Sequence, residues 1–161
     1  MSKIIQRSGV IRPAEAADFE TVRRITHKTI KTVYPRYYPA GAVAFFLAHH
    51  NDAAIMKDIH ENRVFMYISD GGQAVGTVTV HDDEIGRLFV LPEYQGSGYG
   101  TALLEFAENR VSERFSEIVL DASWSAKGLY LRRGYRAESY HTIETETGDF
   151  LCFDTMKKRV K

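Results

Sequence analysis

The chain has 161 residues, 44% hydrophobic and 26% charged, and its 21 Lys and Arg balance 21 Asp and Glu. This length suits one domain, read here as spanning residues 1–161, with a core that needs no crosslinks, and the apolar content excludes a disordered chain. One cysteine, Cys152, makes neither an intramolecular disulfide nor a cysteine-based zinc site, and zero net charge offers no global field for nucleic acid or an anionic membrane.

Met1 to Arg7 carry Lys3 and Arg7 and lack the apolar stretch of a secretory signal. Gly9 to Arg12 reads as a short strand stopped by Pro13, and Ala14 to Thr32 as a helix with Phe19, Val22, Thr26, Ile30 and Val33 on one face. Pro35 and Pro39 break the chain. The longest apolar run, Ala40 to Ala48, has nine residues, too few to span a membrane. A cytoplasmic protein is expected. Gly41 to His60 reads as one or two helices, interrupted near Asn51–Asp52, with Asp52 as the cap of the second. His49 and His50 are adjacent and so diverge on a helix, which predicts surface histidines and no metal centre.

Val64 to Ser69 and Ala74 to His81 read as a hairpin around Asp70-Gly71-Gly72, followed by a strand from Glu84 to Leu91 that Pro92 stops. Gly98 to Arg114 is helical, with Leu103, Phe106, Ala107 and Val111 on one face. A strand over Glu117 to Asp121 and a helix over Ser125 to Arg133 follow, the helix ending at Gly134. Tyr135 to Glu144 and Asp149 to Met156 close the chain as strands, and Lys157, Lys158, Arg159 and Lys161 read as a solvated basic end. Hairpins followed by strand–helix alternation predict a mixed sheet flanked by helices, an α/β domain.

The most informative run is Leu88-Phe89-Val90-Leu91-Pro92-Glu93-Tyr94-Gln95-Gly96-Ser97-Gly98-Tyr99-Gly100-Thr101. A strand ends at proline, and a loop with three glycines opens a helix. Such a helix N-terminus offers amides and a favourable dipole to an anion, and glycines let the ligand approach the backbone. The spacing fits no dinucleotide fingerprint, since Thr101 stands three places after Gly98. It fits no P-loop, lacking Lys, and no nucleophile elbow, since Gln95 and Tyr99 flank Ser97.

Gln95, Gly98 and Gly100 do match Gln/Arg-x-x-Gly-x-Gly/Ala, and the run resembles the acetyl-CoA motif of the GNAT superfamily of N-acetyltransferases. A second stretch, Asp121 to Tyr135, resembles that family's strand and following helix through Ala126, Tyr130 and Gly134, with Tyr135 in place of the usual Phe and Ser123 where many members have Asn. The resemblance implies a mixed, mostly antiparallel central sheet, acetyl-CoA as cosubstrate, no metal, and an amine acceptor. It gives no nucleic-acid or membrane partner and admits a homodimer, dimers being frequent among such folds. Carried over by position, Leu88, Phe89 and Val90 meet the pantetheine arm, Gln95 through Thr101 meet the pyrophosphate, and Ser123 and Tyr130 lie near the cofactor. Without turnover, the same fold would be an acyl-CoA sensor or interaction module.

Acetyl transfer needs a base for an ammonium titrating near pH ~10 and a proton donor for a thiolate leaving group. By the same resemblance Tyr130 is the candidate acid, a core tyrosine being the alternative. The resemblance likewise makes Glu84 the candidate base, the alternative being a solvated strand end, with His81 and Asp83 in reserve. Strict strand alternation groups Glu84 with Gly86, Leu88 and Val90, and a bulge would regroup them. No Cys lies in either motif, so direct attack is expected, with Cys152 a buried apolar side chain in a late strand. Tyr34, Tyr37, Tyr38, Phe45 and Phe46 serve either as packing or as the acceptor pocket.

Overall fold

The computed structural model describes residues 9–161. The stretch Met1–Arg7, read above for a signal, lies outside the described residues.

β1 (Gly9–Pro13) pairs antiparallel with β2 (Val64–Ser69), β2 with β3 (Ala74–His81), and β3 with β4 (Glu84–Val90). The β2–β3 hairpin has the predicted bounds, and Gly72 takes the left-handed conformation (φ 78°) that its turn requires. β5 (Glu117–Ala122) is parallel to β4, and β6 (Arg136–Glu144) and β7 (Phe150–Arg159) complete the sheet in the order β1-β2-β3-β4-β5-β7-β6. It is a mixed, mostly antiparallel sheet of seven strands.

Helices cover both faces, which explains why β2 is apolar at successive positions. Val64 and Met66 pack with Val22 of α1 (Phe19–Val33) and Ile55 and Ile59 of α3 (Asp52–His60). Phe65 and Tyr67 pack with Leu103, Leu104 and Ala107 of α4 (Tyr99–Ser112). α2 (Ala40–His49) joins the first layer through Ala42, and α5 (Lys127–Arg132) joins the second through Tyr130. Gly76 permits the close approach of α4, since an added Cβ would lie 2.8 Å from Leu103 Cδ1 and 2.9 Å from the Phe89 carbonyl oxygen.

Three expectations need correction. α3 is capped by Asn51, whose side chain accepts from Ala54 N–H at 2.9 Å, while Asp52 pairs with Arg23 Nε at 2.8 Å. Lys157, Lys158 and Arg159 are strand residues, because β7 runs on to pair Lys157 with Val119 and Arg159 with Glu117. The first helix begins later than read, at Phe19, after a 3-10 turn over Ala16–Asp18.

Lys158 has a specific task. Its Nζ bonds Glu108 at 2.9 Å, and Glu108, buried on α4, also takes Tyr135 Oη at 3.0 Å and the guanidinium of Arg133. This cluster ties α4 to β7 and to the end of α5. Burial alone would raise the Glu108 carboxyl, but the hydrogen bonds from Arg133, Lys158 and Tyr135 outweigh it and hold it below its ordinary value. A carboxyl lowered in the folded state stabilises the fold above its unfolded value, and that contribution is lost as pH falls through the folded one. Denaturant midpoints are therefore expected to fall on acidification below about pH 4, and less steeply in Glu108→Gln. Glu108→Ala, which strands two cations, is expected to cost about 3 kcal/mol in the same measurement.

Candidate active site

The layout of β4 creates the site. β4 and β5 share one register pair, Glu84 with Val119, and among the described residues no ladder joins them further along. A strand edge without a partner leaves backbone groups available to a ligand. The segment after β4 turns through a 3-10 helix at Pro92–Tyr94 and enters α4 at Tyr99. Gly96 (φ 75°) and Gly98 (φ 79°) take the left-handed backbone that this turn needs. The first helical bond at Gly98 runs from Ala102 N–H to the Gly98 carbonyl at 3.0 Å, so earlier amides of the first turn stand outside the α-helical ladder. Gln95 latches the loop to the strand, its Nε2 donating to the Val90 carbonyl at 2.9 Å.

A cavity of about 700 Å³ runs along this cleft. Its wall includes Leu88, Phe89 and Val90 of β4 and Gln95, Gly96, Gly98, Tyr99, Gly100 and Thr101 of the loop and helix start. Glu84, Ser123 and Tyr130 line the same space. The two sequence motifs and both candidate catalytic groups therefore meet in one cavity. Ser97 is the exception, exposed in the loop and outside the lining. Cys152 is half-buried in β7 and is not on the wall either.

The bulge regroups the strand. Thr77 pairs with Phe89 and Thr79 with Gly86, so two steps along β3 span three along β4. Ile85 packs in the α4 layer together with Leu88 and Val90, whereas Phe89 packs with α1 and α2. Alternation fails between Gly86 and Phe89, where Arg87 holds φ 45°, a conformation that side-chain-bearing residues seldom adopt. Glu84, opposite Ile85, and Phe89 thus share the α1–α3 side, and the expected grouping of Glu84 with Leu88 and Val90 is overturned.

Tyr130 is buried, its ring 5.5 Å from that of Tyr135 in a T-shaped contact. Burial and the nearby Tyr34 push its hydroxyl well above the ordinary tyrosine value. Tyr34 is raised by burial too, an effect moderated by hydrogen bonding to Ser123 and Ser125, whose hydroxyls are 2.8 Å apart. Tyr34, Phe45 and Phe46 line the cavity, while Tyr37 is exposed. Tyr38 instead braces the wall, donating to the Cys152 carbonyl at 3.0 Å and accepting from Trp124 N–H at 2.8 Å. Glu84 is exposed at the rim. Partial desolvation there, then the like charge of Asp121, raises its carboxyl above its ordinary value.

His50 departs most from expectation. It is the C-cap of α2, half-buried on the cavity wall, and Arg87 Nε donates to its Nδ1 at 3.0 Å. Arg87 also pairs with Asp58 of α3. No sequence pattern marks this trio, since its members come from three elements.

The family model for an acetyltransferase (GNAT) domain matches residues 33–160. An uncharacterized N-acetyltransferase of Escherichia coli K12, YafP, is 24% identical over 143 residues, 89% of this chain and 91% of that protein. The crystal structure of a GCN5-related N-acetyltransferase from Rhodopseudomonas palustris superposes with a TM-score of 0.86 at 24% identity, covering 97% of this chain and 99% of that one. The PaiA N-acetyltransferase of Thermoplasma acidophilum, solved in complex with coenzyme A, gives 0.70 at 20% identity over 94% of this chain and 99% of that one. With the family model matching most of its length, the chain belongs to the GNAT acetyltransferase family.

Proposed function

We propose that this protein is a cytoplasmic, single-domain N-acetyltransferase that moves the acetyl group of acetyl-CoA directly to a primary amine. One observation carries the reading: the glycine loop, the unpaired edge of β4, Glu84 and Tyr130 face a single cavity. The chain's features suit the cofactor. A pyrophosphate would lie against the amides from Gly96 to Thr101 at the positive end of α4, and the pantetheine arm against Leu88, Phe89 and Val90. No basic surface is required, because the backbone supplies the positive end.

Acetyl-CoA supplies an activated acyl group as a thioester. Glu84 takes a proton from the incoming ammonium, directly or through a water. The freed amine attacks the thioester carbonyl carbon, polarised by backbone amides at the β4 bulge; as the C–S bond breaks, Tyr130 gives its proton to the departing sulfur and regains one from the newly acylated nitrogen. The raised Tyr130 value keeps that proton on the hydroxyl until it is needed. Ser123 replaces the common Asn with a shorter hydroxyl, already engaged with Ser125. Direct attack is favoured because Cys152 lies off the cavity wall.

Free thiol, followed in a mixture of protein, acetyl-CoA and a panel of primary amines, is expected to appear only when an amine is present. Binding of acetyl-CoA without amine-dependent thiol release would overturn the enzyme reading in favour of an acyl-CoA sensor.

A further inference from the structure

The Arg87–His50 contact fixes a proton. A guanidinium has donors and no acceptor, so Nδ1 of His50 must accept the 3.0 Å hydrogen bond from Arg87 Nε. A neutral imidazole that accepts at Nδ1 carries its proton on Nε2. Among the described residues Nε2 has no hydrogen-bond partner, and His50 lines the cavity. Burial, then the charge of Arg87 and the neighbouring His49 and His27, pushes His50 down to about 3. His27 Nε2 meets the His50 carbonyl oxygen at 2.7 Å, and the His49 ring centroid lies 4.9 Å away. Among the described residues no carboxylate pairs with the His50 ring, because Asp58 spends its charge on Arg87 and Arg63. His50 therefore presents a fixed N–H and does not serve as a base.

The surroundings select what this N–H meets. Arg87 and Arg63 are balanced by Asp58 and Glu61, with which they pair. On the same cavity wall Glu84 and Asp121 add two negative charges against the one positive charge of Arg132. A carboxylate desolvated there would find no net positive charge, whereas a neutral oxygen needs only a donor.

We propose that His50 recognises the acceptor: held by the Arg87–Asp58 pair on the β4 bulge, its Nε2–H binds an uncharged carbonyl oxygen beside the reactive amine, as in an amino-acid amide. The substrate class rests on the acetyltransferase reading above. The fixed tautomer does not.

Two experiments on the full chain test this. In ¹⁵N NMR, with the signal assigned through His50→Phe, His50 is expected to hold the Nε2–H pattern from pH 8 to 5. Titration near pH 6.5 or an Nδ1–H pattern would overturn the proposal. With CoA present, L-leucinamide is expected to shift the Nε2–H resonance and isoamylamine to leave it in place. An unmoved resonance with L-leucinamide would overturn the recognition role, whether or not any amine turns over. In kinetics, His50→Phe is expected to raise KM for L-leucinamide about 10-fold more than it raises KM for isoamylamine. Equal losses for both amines, or L-leucine bettering L-leucinamide in the native protein, would count against the assigned class. Absence of thiol release with every amine, alongside a fixed tautomer and a shifted resonance, would defeat the enzyme reading alone.

Discussion

Replacing Tyr130 with Phe is expected to lower kcat by about 10²-fold or more, with KM for acetyl-CoA little changed. The substitution removes one oxygen and keeps the ring against Tyr135, so packing and the T-shaped contact at 5.5 Å persist. Burial holds the Tyr130 hydroxyl above its ordinary value, with Tyr34 adding to the effect. It is therefore protonated throughout the working range, and its worth lies in the proton that it delivers as the sulfur departs. Thiolate expelled without that donor must take a proton from water. Two checks separate chemistry from damage: thermal unfolding of Tyr130→Phe should match the native protein, and an acyl donor with a more acidic leaving thiol should recover most of the lost rate. A variant with full turnover and native stability would return Tyr130 to a packing role. Tyr34 is the control, because Tyr34→Phe removes a hydroxyl engaged with Ser123 and Ser125 at the same wall.

The parts of the fold that were readable are those where one residue type forces the backbone. Asp70-Gly71-Gly72 specifies a tight turn, and the glycines of Gly96–Gly100 mark a loop that must bend back into a helix. Helix and strand bounds followed to within a few residues, because apolar periodicity reports burial against a layer. Features that depend on long-range company were not readable. Arg87 adopts a positive φ without being Gly, Asn or Asp, so nothing in the sequence signals the bulge that aims it. His50 looks like a helix-surface residue only if helical spacing extends to it, and its φ of −101° and ψ of 50° show that the helix has ended. The basic end looked solvated because lysines usually are, but Glu108 on α4 gives Lys158 a buried partner. The side-chain partners lie far off in sequence, His50 and Asp58 at 37 and 29 residues from Arg87 and Glu108 at 50 from Lys158, beyond the reach of local pattern.

The second large effect concerns Glu84. Glu84→Gln is expected to reduce turnover at neutral pH by about 10²-fold, and the shape of the pH profile carries more information than the size of the loss. A base works only when ionised, so native turnover should rise with pH through the Glu84 value, which desolvation and Asp121 raise from its ordinary level. Without the carboxylate, the protein must wait for amine that is already deprotonated. The rising limb should then move toward the acceptor amine's own value, near pH ~10 for an alkylamine such as isoamylamine and about 8 for an α-amine such as that of L-leucinamide, and the deficit should shrink as that pH is approached. Asp121→Asn gives the opposite displacement: with a like charge removed, the Glu84 proton is lost more easily and the native limb shifts to lower pH. A carboxylate that merely decorates the strand end would produce neither movement. If the limb stayed in place in both variants, Glu84 would not be the base, and the search would turn to neighbours such as His81 and Asp83 and not to His50, whose Nδ1 is already committed to Arg87.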